Sequence, residues 1–278
     1  MCLFMITSDI LHRKGARKVS DIPHEVLQLL NKGEIPTVNL TEWLAIDHVK
    51  LIKYCFPNVG ISKEHIVLLV KKIKALKKPT TMSITKLVGP SLYELYKDDV
   101  RYPSILEKLS THISDSIRCY APYLISLNEK LSLREKLNHS KDLIADKHFG
   151  IREVVWMALR PEIDKNLTFA ISILSEWTSS ENENIRRFTT EATRPRGVWC
   201  KHIEVLKENP EIGLPILEPL KSDFSKYVQD SVGNWLNDAS KTRPDFVIKL
   251  CNTWLKESDT TATQKIIKRA KRTIDKDA

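Results

Sequence analysis

The dipeptide Ile-Arg stands at residues 117–118, 151–152 and 185–186, a recurrence of 34 residues. The copies are Asp115-Ser-Ile-Arg118, Phe149-Gly-Ile-Arg152 and Glu183-Asn-Ile-Arg186. Lys226-Tyr-Val-Gln229 is a looser fourth copy, and Lys265-Ile-Ile-Lys268 reads as a fifth. Polar stretches such as Ser179-Ser-Glu-Asn-Glu-Asn184 and Lys221-Ser-Asp-Phe-Ser225 introduce the copies, and helical spacing of apolar residues follows them. Such a period marks one supersecondary unit used repeatedly. A single unit cannot bury its apolar face alone, so neighbours stack into a continuous core.

The fold class that follows is all-α, an α-solenoid of HEAT-like helix pairs. Residues 1–278 read as one such domain, with an N-terminal helical part at 1–104 and the regular repeats, carrying a groove, at 105–278. A content of only 8 Gly argues against a sandwich or barrel rich in glycine turns. Residues 1–20 read as a loose arm ending in Arg13, Lys14, Arg17 and Lys18. One helix is expected from Thr41, as its cap, to Phe56, with Pro57 as its stop. Ile66 to Leu76 gives another, with a lysine-rich solvated face, and Thr80 to Lys97 gives one or two helices around Gly89-Pro90. A C-terminal helix is expected to carry Lys265, Lys268, Arg269, Arg272 and Lys276 on one face.

The formal charge of +9 points to a polyanionic partner. Five scattered cysteines without a C-x-x-C pair read as a reduced compartment with neither disulfides nor a zinc site. The first residues lack the basic start of a signal peptide, and no apolar run reaches the roughly 18 residues that span a bilayer. A cytoplasmic protein with no membrane partner is the expectation.

Phosphate-loop, dinucleotide, metalloprotease and serine-hydrolase signatures are absent, and the eight histidines are scattered, so neither a metal nor a cofactor is expected. Carboxylates and tryptophans of the last repeats remain. Glu153 lies with Trp156, Glu191 with Trp199, and Asp238 with Asp230 and Trp235. Pro195 ends a helix, which puts Glu191 in its last turn, where the partial charge is already negative. Arg194, Arg196 and Trp199 follow in a loop around it. Trp156, Trp235 and Trp254 fall at core spacing, whereas Trp199 follows a Pro-Arg-Gly turn and is free to be exposed. Arg118, Arg152, Arg186 and Arg187 should gather on the inner surface of the stack. Their equal alternative is to pair with an acid of the next repeat and hold the stack together.

Two motifs carry a resemblance. Glu191-Ala-Thr-Arg-Pro-Arg-Gly-Val-Trp199 is similar to the S-E-G-x-R-P-R-x-x-W motif of the AlkC branch of the AlkC/AlkD DNA glycosylases. Ser231-Val-Gly-Asn-Trp-Leu-Asn-Asp-Ala-Ser-Lys241 resembles that branch's S-V-A-N-x-L-N-D-I-S-K, and Asp146 to Trp156 also looks similar. The resemblance covers residues 110–275 best. Departures are Ala192 for glycine, Gly233 for alanine, and Gln229 for an arginine whose loss weakens one phosphate or inter-repeat contact. The sequence stops at 278, so the immunoglobulin-like extension of some members is not expected.

The resemblance implies a solenoid that wraps duplex DNA and excises cationic alkylated purines, chiefly 3-methyladenine, as a monofunctional glycosylase in base excision repair. Carried over by motif, Glu153, Glu191 and Asp238 are the acids at the lesion, with Trp199 beside them. Arg152, Arg186, Arg194, Arg196, Lys241, Lys268, Arg269 and Arg272 are the expected DNA contacts. The partner is then double-stranded DNA with alkylated bases, bound by a monomer. The alternative is a non-catalytic DNA-structure-binding or scaffold protein on the same solenoid. Acids converging on one exposed spot favour the enzyme. Acids dispersed, or tied into inter-repeat salt bridges, favour the binder.

Overall fold

The computed structural model describes residues 8–277; Cys2 and the start of the N-terminal arm lie outside them. The described residues form helices and turns with no strand. The chain is all-α, built of HEAT-like helix pairs. Packing divides it into two units, residues 1–130 with 147–155, and residues 131–146 with 156–278. The boundary expected at 104 therefore falls inside the first unit.

In the first unit the arm is less loose than expected. Arg13 Nη2 lies 2.7 Å from Glu42 Oε2, and the guanidinium also donates to the Ile10 and Pro36 carbonyls. The single helix expected over 41–56 is two, Leu40–Ala45 and His48–Val59. Asp47 makes the break. Its backbone is extended and its carboxylate accepts from the Val49 and Lys50 N–H groups, so it caps the second helix. Asn39, not Thr41, caps the first by accepting from Glu42 N–H. Pro57 sits within the last turn of the second helix and does not stop it. Thr81–Tyr96 runs unbroken through Gly89 and Pro90. Pro90 forfeits one ladder bond, and fully buried Val88 and Leu92 on either side hold the helix through it.

The recurrence of the sequence is a recurrence of helix starts. Asp115–Arg118, Phe149–Lys165 and Glu183–Ala192 each begin on the first residue of a copy, and Lys226–Ser240 does the same. The fourth residue of each helix reaches back to the turn before it. Arg118 donates to the His112 and Ile113 carbonyls, Arg152 to Lys147 O at 2.9 Å, and Arg186 to Ser180 O at 2.8 Å and Glu181 O at 3.0 Å. Those carbonyls precede the helix and have no ladder partner, which the fork of an arginine supplies. Gln229 does the same with one bond, Nε2 to Asp223 O at 2.7 Å. The departure at 229 thus keeps the turn closed, at the cost of a buried Oε1 with no partner.

The fifth copy is shifted by one turn from expectation. Thr260 caps a helix over Thr261–Ala270, so its fourth residue is Gln264, whose Nε2 lies 2.6 Å from Asp259 Oδ1. The C-terminal helix is also not continuous. It ends at Ala270, and Ile274–Asp277 forms a separate turn. Asn237 Oδ1 accepts from both the N–H and the hydroxyl of Thr273, at 3.1 and 3.0 Å, and fixes the break.

Trp156, Trp235 and Trp254 are core, at 2%, 0% and 0% exposure. Trp235 also donates its indole N–H to Thr193 O at 2.9 Å, and so ties the Lys226–Ser240 helix to the end of Glu183–Ala192. Truncating such a ring to alanine costs about 3–5 kcal/mol.

Candidate functional site

Glu191 closes the last turn of Glu183–Ala192, and Asp238 lies near the end of Lys226–Ser240. Arg194, the third residue beyond Glu191, stands between them. Its Nη2 is 2.7 Å from Asp238 Oδ2 and its Nη1 is 3.4 Å from Glu191 Oε2. Ser231 donates to Glu191 Oε1 at 2.8 Å, and Arg187 Nη2 stands 3.4 Å from the same oxygen. Arg187 also lies 4.3 Å over the ring of Tyr227. Lys241 Nζ is 3.3 Å from Asp238 Oδ1, and Arg196 Nε donates to Asp238 O at 3.2 Å.

Both acids are 4% exposed. The two motifs therefore bring Glu191 and Asp238 into one network, but as buried groups that share Arg194 rather than as an open acidic spot. Burial works against the Arg194 charge, yet the Glu191 and Asp238 carboxylates outweigh it and push the guanidinium above its ordinary range. Glu153 is half-buried in the part of Phe149–Lys165 that belongs to the first unit, whereas Glu191 and Asp238 belong to the second.

Trp199 is 58% exposed, as the sequence allowed. Its φ of 61° makes it the one non-glycine residue with positive φ among those described. For an aromatic side chain that conformation costs on the order of 1–3 kcal/mol and persists only where its surroundings impose it. Arg160, which the sequence reading missed, bonds the chain on either side of Trp199. At 2% exposure, its Nε donates to Lys201 O and its Nη1 to Ala192 O, both at 3.0 Å, and its Nη2 donates to Arg194 O. One guanidinium thus grips both ends of the loop that carries Arg194, Arg196 and Trp199. The available signal was an arginine ending the apolar run Val154-Val-Trp-Met-Ala-Leu159.

The expected DNA contacts divide by environment. Arg186 takes the alternative of pairing with the next repeat: it is 3% exposed, forms a double contact with Asp223 at 2.6 and 3.0 Å, and has Phe224 stacked on it at 4.4 Å. A guanidinium with four N–H groups spent inside the stack is a rivet between repeats and has little left for phosphate. Arg194, Arg196 and Lys241 point at Asp238. Arg152 is half-buried and, with Arg118, Lys147 and His148, lines a cavity of about 620 Å³ in the first unit. Lys268 and Arg272 are exposed and line a cavity of about 580 Å³ with Lys226 and Lys265. Arg269 shares that cavity but is held by Asp230 at 2.6 Å. Among the described residues no group of His, Cys, Asp or Glu is arranged to hold a metal, and none of their helices is long and apolar enough to cross a membrane.

With this geometry in place, similarity to other proteins can be weighed. The structure superimposes on the Pseudomonas fluorescens alkylpurine DNA glycosylase AlkC, determined bound to DNA containing an abasic site analog. The TM-score is 0.66 at 21% identity, over 82% of this chain and 62% of that one. It also superimposes on AlkD2 from Streptococcus mutans, with a TM-score of 0.57 at 26% identity, over 75% of this chain and 97% of that one. In fold, the chain groups with AlkC and AlkD proteins. No family model matches it. An uncharacterized Bacillus subtilis protein, YhaZ, is 42% identical over 117 residues, which are 42% of this chain. That match spans about a third, 32%, of YhaZ.

Proposed function

We propose that this chain is a DNA glycosylase that removes cationic alkylated purines, 3-methyladenine foremost, from duplex DNA. The observation that carries the reading is the meeting of Glu191 and Asp238 at Arg194, beside a loop that presents Trp199, on a fold shared with AlkC. A methylated purine is already a cationic leaving group, so its departure needs no general acid. Cleavage of the glycosidic bond leaves an oxocarbenium-like sugar. Carboxylates favour that charge and orient or deprotonate the attacking water. An aromatic face such as that of Trp199 adds attraction for the base or the sugar cation. Glu153 is the third acid of this reading. Lys268, Arg272, Arg269 and Arg152, together with Arg194, Arg196 and Lys241, supply the positive surface for the phosphates. The same reading makes the protein a cytoplasmic, monofunctional monomer that works without metal or cofactor.

For Glu191 and Asp238 to act on DNA, Arg194 must give up part of its hold. Phosphates supply the competing anion. The test is release of free base from methylated duplex DNA by the purified protein, with unmethylated duplex as the blank. Release of 3-methyladenine from the methylated duplex alone supports the reading, and no release from either overturns it.

A second reading has its own observation. Both acids are buried, Asp238 is paired with Arg194 of the preceding repeat and Glu191 accepts from Ser231 of the following one, as in a binding protein whose acids hold its stack. Tight, salt-sensitive DNA binding without base release would establish it.

A further inference from the structure

We infer that Arg160 is a positioning residue, which sets the loop carrying Arg194 and Trp199 and holds Trp199 in its left-handed conformation. The inference rests on the glycosylase reading for its kinetic consequence, but not for its structural one. Arg160 lies on the Phe149–Lys165 helix, immediately before Pro161; Asp164 and Asp238 favour its charge from a distance, but its hydrogen bonds go to backbone. Its charge is answered by three backbone carbonyls, those of Ala192, Arg194 and Lys201. Burial pulls its pKa below the ordinary arginine value. A buried cation spent wholly on loop carbonyls contributes to the shape of that loop before anything else.

Other ties hold the loop too, among them Arg194 and Arg196 to Asp238 and Trp235 to Thr193 O, but Arg160 reaches both of its ends from one group. The Ile203 N–H donates to Pro195 O at 3.0 Å, which closes the loop at its base. At Gly197 a Cβ would collide with Cys200 Sγ and the Lys201 carbonyl, so the chain there is folded back tightly on itself. Between that fold and the Arg160 grip on Lys201, Trp199 is left with positive φ and its ring outward. Lysine cannot replace this arrangement. A lysine ammonium donates from one point, whereas the guanidinium fork reaches carbonyls on both strands of the loop at once.

The chain supplies its own probe. Of its six tryptophans, Trp199 is 58% exposed, while Trp43, Trp156, Trp177, Trp235 and Trp254 are 7% exposed or less. Collisional quenching of tryptophan fluorescence by acrylamide therefore reports chiefly on Trp199. The experiment compares the wild type with Arg160→Lys, which keeps the charge, and with Arg160→Met, which keeps the length. For each it measures the quenching constant, duplex DNA affinity, and single-turnover release of 3-methyladenine. The expected result for Arg160→Lys is a change of about twofold in the quenching constant and at least a tenfold loss of release, with DNA affinity within twofold of wild type. Unchanged quenching in both variants overturns the inference, as does a loss of affinity that parallels the loss of release. If Arg160→Met does not fold, Arg160→Lys alone decides. If the wild type releases no base, the glycosylase reading fails and the quenching constant still decides the role of Arg160.

Discussion

Arg194 holds Asp238 more tightly than it holds Glu191. Two of its nitrogens, Nε and Nη2, meet Asp238 Oδ2 at 2.8 and 2.7 Å, whereas a single 3.4 Å contact reaches Glu191. Glu191 is instead secured by Ser231 and Arg187. The two acids are therefore unequal in what they do for the fold.

Asp238→Asn should destabilise the protein more than Glu191→Gln does. Removing one partner of a buried pair strands the other, which costs about 3–5 kcal/mol where the loss is complete. Glu191→Gln keeps a carbonyl oxygen for the Ser231 hydroxyl. Urea midpoints of the two variants provide the comparison, and equal midpoints would show that Arg194 is shared evenly. Both substitutions should cut release of methylated purine a hundred- to a thousandfold, equivalent to roughly 3–4 kcal/mol of barrier, by analogy with loss of one electrostatic stabiliser. DNA affinity should hold or rise, because the loss of either carboxylate leaves more of the Arg194 charge for phosphate.

The cationic residues should separate by assay. Replacing both Lys268 and Arg272 with glutamine should lower the slope of log affinity against log salt by about 2, since each phosphate contact contributes about 0.9. Arg186→Gln should leave that slope alone and lower the denaturation midpoint instead, because its guanidinium is spent on Asp223 and on turn carbonyls. A slope change for Arg186→Gln would return it to the DNA surface.

Acid should weaken the first unit through His48. The ring is 2% exposed, its Nδ1 lies 2.8 Å from the Tyr120 hydroxyl, and its Nε2 has no partner. Burial lowers its pKa from 6.5 to about 4, with Asp47 pulling weakly the other way. Protons therefore bind the unfolded chain first. The stabilisation is complete above pH 6.5 and is lost as the pH falls to about 4, a total of about 3 kcal/mol. Urea midpoints at pH 7.5 and 4.5 should differ more in the wild type than in His48→Phe.

Gly233→Ala should fail to stabilise its helix. Alanine normally gains about 1 kcal/mol over glycine inside a helix. Here the added Cβ would lie 2.8 Å from Arg269 Cβ and push that side chain off Asp230. A raised melting temperature would show that Arg269 has room to move.

Where the sequence was readable, one physical regularity made it so. A helix start needs a cap, an apolar residue one turn on and a partner for the turn carbonyls, and Ile-Arg marks the last two together. The register slipped in the fifth repeat because its helix starts at Thr261, where the fourth residue is Gln264, which bonds the Asp259 side chain and bears no likeness to Ile-Arg. The split at Asp47 was hidden for a similar reason, since an aspartate within an amphipathic run looks like a surface residue until its backbone is seen to be extended. The two acids could be found from their motifs, but their burial could not, because it depends on Arg194 folding back between two helices. Arg160 could be flagged by its place at the end of an apolar run, but not given a role, because its partners are carbonyls and every residue type offers one.

The rivet between Arg186 and Asp223 has a consequence for how the second unit comes apart. Arg186 closes its own turn and also grips the following repeat, whereas Gln229 closes only its own turn. The ion pair that joins the next two repeats, Arg269 with Asp230, is part-exposed, so the charged link is buried at the third repeat and open to water beyond it. Opening motions of the native protein should begin at the C-terminal edge and halt at Asp223, which would leave the loop of Trp199 standing while the last helices fray and re-form.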